Sequence, residues 1–193
     1  MTKEFLGSLA SLNEEQLAQA IANLSAAEKI ELDRLLALPD PVHPEAPREW
    51  FHDAQTELWN LTGYKVIAFV AGAQSGKTVL APWITLREIA LKFVNGHPNE
   101  HLVASPTYKL MWKKLLPEYR RVMCDQLQLG EYLAGDICIG LSAEGIARLT
   151  GVVPSTGTSV TIWFGHAQSS ESLESATYMS AVLDEAGQDS FRP

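Results

Sequence analysis

The chain has 193 residues, 46% of them hydrophobic and 20% charged, with a formal net charge of −8. That length fits one domain with a sizeable core, and the proportions are those of a soluble globular protein. The acidic balance excludes a generally basic nucleic-acid binder, so any nucleic-acid contact must come from a local basic patch. Two cysteines, Cys124 and Cys138, sit in unrelated contexts without metal-ligand spacing, and they point to buried thiols in a reducing compartment. The first residues are expected to carry no signal peptide, and no apolar run approaches membrane-spanning length.

Residues 1–38 predict a helical hairpin. Asn13 caps a first helix with Gln16 three residues on, and Leu17, Ile21 and Leu24 then share a face. Ser25 and Glu28 repeat the capping pattern before Leu32, Leu35 and Leu36. Residues 39–47 carry Pro39, Pro41, Pro44 and Pro47, which break both helix and ladder, so this stretch is an extended linker. A single domain is expected from residue 48 to residue 193. It opens with a helix over residues 48–61, with Trp50, Phe51, Ala54, Leu58 and Leu61 on one face. Gln55 lies near that face. Its amide offers one donor and one acceptor, which suits N6 and N7 of an adenine ring.

Residues 66–70 form a short, uncharged, β-branched run that predicts a fully buried strand of a parallel sheet. Ala71, Gly72, Ala73, Gln74 and Ser75 then lead into Gly76, Lys77 and Thr78, and a helical pattern comes next. Strand, glycine-bearing turn, Gly-Lys-Thr and helix is the order that a nucleoside triphosphate site needs. Gly72 and Gly76 let a phosphate approach the backbone, and the N–H groups of the turn and of the helix start point into one concavity. Lys77 would reach the β- and γ-phosphates of ATP, and the Thr78 hydroxyl would ligate Mg²⁺. The usual pattern has glycine where Ala71 stands.

The helix over residues 78–94 is expected to kink at Pro82. A turn at residues 95–98 leads to a strand at 101–104 and a loop at 105–108. A helix from Lys109 to Cys124 comes after it, carrying Lys109, Lys113, Lys114, Arg120 and Arg121 against the single acid Glu118, with Trp112 and Tyr119 interleaved. It is the one dense basic patch and the candidate contact for DNA phosphates, with Thr107 at its start. Residues 130–145 have no clear pattern. Residues 146–153 and 159–164 read as two antiparallel strands around a turn. Residues 169–176 read as a helical turn. An apolar run at 178–183 then predicts a buried strand ending in Asp184 and Glu185. Asp184 would hold Mg²⁺, and Glu185 would orient and deprotonate the attacking water.

Together the phosphate loop at residues 71–78, the Ser-Pro-Thr-Tyr-Lys run at 105–109 and the Val-Leu-Asp-Glu-Ala run at 182–186 resemble the ATPase domain of large terminase subunits. These are the DNA-packaging motors of tailed bacteriophages. The resemblance runs from about residue 47 to the end. It implies a three-layer α/β core with a P-loop and a mostly parallel sheet, preceded by the helical hairpin. It also implies Gln55 as adenine reader, Lys77 and Thr78 as phosphate and metal residues, Asp184 as metal residue and Glu185 as catalytic acid. ATP hydrolysis would drive double-stranded DNA into a procapsid, with a portal protein and a small terminase subunit as partners. The setting would be a homo-oligomeric motor in the cytoplasm of the infected bacterial host.

Two departures stand out. Terminases often carry an arginine in the loop where Ala73 stands here, so a transition-state charge must come from elsewhere: a neighbouring subunit, Arg48, Arg87 or Arg148. The family also continues past the acidic strand with more sheet and a nuclease domain, so a fragment or truncated chain is expected. A helicase-like ATPase that does not package DNA, or a non-catalytic nucleotide-binding or assembly module, are the other readings.

Overall fold

The architecture is that of a computed structural model, which describes residues 51–61, 66–68, 76–168 and 177–185, with residues 13, 16, 19, 20, 22–25 and 29. The elements in chain order are helix α1, Asp53–Asn60; helix α2, Lys77–Lys92; strand β1, Pro98–Ser105; and a helical run α3 over residues 108–126. Then come β2, Gly130–Leu133; β3, Cys138–Leu141; helix α4, Ala143–Thr150; β4, Ser159–His166; and β5, Ser180–Leu183. Among the described residues no helix is long and apolar enough to cross a membrane. Both cysteines are free.

The five strands form one sheet in the order β2-β3-β4-β1-β5. β1 pairs in parallel with β4 on one side, Pro98 opposite Ser159 through Ser105 opposite His166. On its other side it pairs in parallel with β5, His101 opposite Ser180 through Ala104 opposite Leu183. β2 and β3 form an antiparallel hairpin, and β3 joins β4 antiparallel. The class is α/β as expected, with a mixed sheet in which three strands run parallel.

β1 is central because its sequence is apolar on both faces: Leu102, Val103 and Ala104 are all buried. α2 packs on β1, β5 and the middle of α3. Leu86, Ile89, Leu115, Tyr119, Val122, Met123, Ile139 and Ile162 are fully buried in the core. Each such side chain contributes about 2 kcal/mol of burial free energy. The Tyr119 hydroxyl meets Thr85 Oγ1 at 2.8 Å and its ring stands edge-on to Phe164, which ties α3 to α2 and to the sheet. The turn before β1 is held by Asn99, whose Oδ1 accepts from the Val94 N–H while its Nδ2 donates to the Val94, His97 and Ser159 carbonyls.

α2 runs through Pro82 as one continuous helix. α3 is unusual. It consists of α-helical Tyr108–Leu110, π-helical Met111–Leu115, α-helical Leu116–Tyr119 and π-helical Arg120–Gln126. Pro117 has no N–H to offer the Lys113 carbonyl and its ring crowds that turn. The Leu116 N–H reaches back to Met111 O, five residues away, which widens the helix at that point.

Four expectations are corrected. Residues 143–150 are a helix, not part of a strand over 146–153. Ser142 caps it, its Oγ accepting the Gly145 N–H at 2.9 Å. Gly151 ends it at φ 68°, where its N–H donates to Ala147 O. In α1 the buried residues are Gln55 and Trp59, with Phe51 just before them, and Ala54 is exposed. β5 is not fully buried: Leu183 is 47% exposed, and among the described residues β5 pairs only with β1. Residues 66–68 are not in a strand, and Val66 is 84% exposed. In the N-terminal segment Asn13 and Gln16 exchange the reciprocal backbone-to-side-chain bonds of a capping box. The rest of the hairpin, the linker at 39–47 and residues 169–176 lie almost wholly outside the described residues.

His101 is buried on β1, its Nδ1 2.7 Å from Ser180 Oγ on β5. Its Nε2 has no hydrogen-bond partner among the described residues. Burial, aided by the Lys92 ammonium and opposed by Glu88, pushes the imidazole down to about 4 from its ordinary 6.5. The unfolded chain therefore binds this proton first. Stability is full above pH 6.5 and falls as the pH drops toward about 4, by on the order of 3 kcal/mol from this group. Urea unfolding across that window should show the decline, and His101→Gln should remove this part of it. Parallel curves for the two proteins would show that His101 does not carry the effect.

Candidate nucleotide site

Parallel strands place their carboxyl ends on one edge, where α/β proteins bind ligands. Here that edge carries Ser105 of β1, His166 of β4 and Leu183 of β5. The candidate site is built from the residues just past these strand ends and from the start of α2.

Helix α2 starts at Gly76, whose φ of 75° is left-handed and accessible to glycine at little cost. Its carbonyl accepts the Leu80 N–H at 3.0 Å. A Cβ at Gly76 would lie only 2.7 Å from Gln55 Nε2. So Gln55, buried on α1, has its amide nitrogen against the start of α2. Its Oε1 accepts the His52 N–H at 3.1 Å and closes the first turn of α1. The structure thus brings two predicted site residues together and gives the Gln55 oxygen a capping partner. Lys77 and Thr78 are the first two residues of α2 and are half-buried. Ala71, Gly72, Ala73, Gln74 and Ser75, the rest of the expected phosphate loop, lie outside the described residues.

Asp184 comes directly after β5. Its N–H donates to Ala104 O at 2.9 Å, which extends the ladder with β1 by one residue. Burial raises its carboxyl above the usual range, and Glu185 raises it further. The Glu185 N–H, Lys114 and Lys77 oppose that shift. Two motifs more than a hundred residues apart are thus linked by the fold: α2, which starts at Lys77, packs on β5, which ends just before Asp184. Glu185 sits at φ 54°, a left-handed backbone that non-glycine residues rarely adopt.

In kind, the oxygens of Thr78, Asp184 and Glu185 are the hard donors that Mg²⁺ takes. Mg²⁺ commonly takes one or two protein oxygens and completes its shell with phosphate and water. Among the described residues there is no cluster of three or more His, Cys, Asp or Glu able to hold a metal.

Of the predicted DNA residues, Thr107 caps α3, its Oγ1 accepting the Leu110 N–H at 3.2 Å. Lys109, Lys113 and Lys114 are exposed along the first turns of α3. The Lys114 ammonium also lowers the Asp184 carboxyl pKa, a long-range relation that no spacing in the sequence announces. The other two basic residues of the patch are engaged. Arg120 lies 4.9 Å over the Tyr132 ring, and Arg121 pairs with Glu118. Two candidates for the transition-state charge are engaged as well. Arg87, buried, donates to the Leu58 and Trp59 carbonyls and to Glu88, and covers the Trp59 ring. It sits ten residues after Lys77, about 15 Å along the helix. Arg148 donates to Leu127 O at 2.9 Å. Arg48 lies outside the described residues. Ser105 Oγ, buried at the end of β1, has no hydrogen-bond partner among the described residues.

Compared with known proteins, the chain matches no family model, no curated protein and no solved structure.

The contact between Gln55 and Gly76 is testable by itself. Gly76→Ala meets both a left-handed backbone and the Gln55 amide, and should destabilise the chain by about 1–3 kcal/mol. Gln55→Ala in the same background should recover part of that loss. A urea double-mutant cycle measures the coupling, and additivity of the two changes would mean that the residues do not touch.

Proposed function

We propose that the chain is the ATPase part of a large terminase subunit, in which ATP hydrolysis drives double-stranded DNA into a procapsid. The observation that carries this reading is the packing of the helix headed by Gly76-Lys77-Thr78 on β5, whose carboxyl end leads into Asp184 and Glu185. Lys77 heads a helix that begins on a left-handed glycine, and Asp184 ends the strand on which that helix packs. In this reading Lys77 and the helix start bind the β- and γ-phosphates. Thr78 and Asp184 would hold Mg²⁺, which neutralises phosphate charge when bound. Glu185 takes a proton from the water that attacks the γ-phosphorus, and ADP leaves with its β-phosphate oxygen carrying the released electron pair. Lys114 adds a second cation near Asp184 in a chain that lacks an arginine at position 73. The lysines at the start of α3 contact nucleic-acid phosphates without reading sequence. A portal protein, a small terminase subunit and further copies of the chain are the partners of such a motor, in the cytoplasm of an infected bacterium.

A helicase-like ATPase that remodels nucleic acid without packaging it would use the same chemistry on a different strand geometry. The exposed aromatic pair Tyr108 and Trp112 favours this second reading.

ATP with Mg²⁺ should raise the melting temperature by mass action, and Lys77→Ala should abolish the shift. Asp184→Asn should remove its Mg²⁺-dependent part. Glu185→Gln should keep the shift while lowering turnover by about 10²–10⁴-fold. An unchanged shift in Lys77→Ala would move the site elsewhere, and wild-type turnover in Glu185→Gln would remove Glu185 as the base.

A further inference from the structure

α3 presents two large aromatic side chains to solvent one turn apart. Tyr108 is 45% exposed and Trp112 44% exposed. Their rings are stacked, with centroids 5.9 Å apart and planes 16° from parallel. His166, at the end of β4, stands edge-on to Tyr108 at 5.6 Å and braces the pair from the sheet side. Aromatic surface of this size is costly to leave in water, and here it is held in a fixed orientation rather than folded away.

The charge around the pair is as informative. The basic residues of α3 fall into two sets. At the far end Arg121 is neutralised by Glu118, and Arg120 lies over Tyr132. At the near end Lys109 and Lys113 are exposed and have no ion-pair partner among the described residues. In a chain of net charge −8, cations left unpaired beside an aromatic stack mark a local preference for an anionic partner. Flat rings ask for flat partners. A duplex keeps its bases stacked inside and offers this surface only phosphates. A single strand offers both phosphates and open base faces.

We propose that Tyr108 and Trp112 form a stacking platform for the unpaired bases of single-stranded nucleic acid, with Lys109 and Lys113 on its phosphates. The pair orders one or two bases against the Trp112 face, and the lysines track the backbone on either side. The platform lies at the carboxyl edge of β1 and β4, next to the candidate nucleotide site. It does not need that site to be an ATPase.

The test uses the whole chain without nucleotide, so it reads this surface whatever the chemistry next to it. A labelled oligothymidine of about 12 nucleotides and a blunt duplex of the same length are titrated at matched salt, with anisotropy as the readout. The single strand should bind more tightly than the duplex. Trp112→Ala should weaken single-strand binding about five-fold or more, with Trp112→Phe keeping most of it and Tyr108→Ala weakening it as well. The double change Lys109→Gln and Lys113→Gln should flatten the slope of log affinity against log salt by about 1.4. Tighter binding of the duplex, or equal affinity of Trp112→Ala and the wild type, would overturn the platform. So would a change in sedimentation of Trp112→Ala without a change in single-strand affinity, which would make the pair a contact between copies of the chain. The comparison of strand and duplex needs no variant, so poor folding of one substitution leaves the proposal exposed to failure.

Discussion

The constraint on which the rest depends is the double parallel ladder of β1. Its register with β4 ends at Ser105 opposite His166, and its register with β5 ends at Ala104 opposite Leu183. Both ladders then run one bond further, from Ala167 N–H to Ser105 O and from Asp184 N–H to Ala104 O. Those bonds fix where the chain leaves each strand, and so where His166, Thr107 and Asp184 stand relative to one another. A slip of one residue would turn the alternate side chains of a strand to the opposite face. A slip of β4 would carry His166 away from Tyr108, and a slip of β5 would shift Asp184 along the edge. The buried side chains of β1, Val103 and Ala104 among them, make such a slip expensive.

Much of this was legible because local patterns decide it. The run at 101–104 has the composition of a buried strand, and the structure extends it to Pro98–Ser105. The helix after Gly-Lys-Thr and the long helix after residue 108 are announced by apolar spacing. Residues 146–153 mislead because eight residues of mixed apolar character fit a period of 2 and a period of 3.6 about equally. The deciding signals are the cap at Ser142 and the left-handed stop at Gly151, which lie at the margins of the pattern. Burial is harder to read than element type. The runs at 66–70 and 178–183 are apolar enough for a central strand, yet Val66 and Leu183 are exposed, because burial depends on which neighbours the fold supplies. The contact of Gln55 with Gly76 joins two elements across an intervening segment, and no spacing rule announces it.

The basic patch shows the same limit from the side of charge. Five cations on one predicted helix read as one surface. Once folded, they divide by what lies opposite each of them. Arg120 and Arg121 find an aromatic ring and a carboxylate, Lys114 reaches the field of Asp184, and Lys109 and Lys113 stay in solvent. Two widened, π-helical turns flank Pro117, so the spacing of these residues around α3 departs from that of a regular helix. A uniform helical wheel cannot produce that spacing, since it assumes 3.6 residues throughout.

Asp184 and Glu185 are both held in states that a free peptide would avoid. One carboxyl is desolvated beside a second acid, and the other residue sits in the left-handed region. Neither state stabilises the fold, so both must be imposed by neighbours that are themselves firmly held. The neighbours are identifiable. The ladder bond to Ala104 fixes the Asp184 backbone. Tyr119, buried against Phe164 and bonded to Thr85, has its hydroxyl pKa raised by that burial, and the Asp184 charge raises it further. A cation bound at Asp184 would relieve the carboxylate and leave the scaffold unchanged. A cation bound there would couple to stability through that one group, while the ladder and the packing around Tyr119 hold the two acids in place.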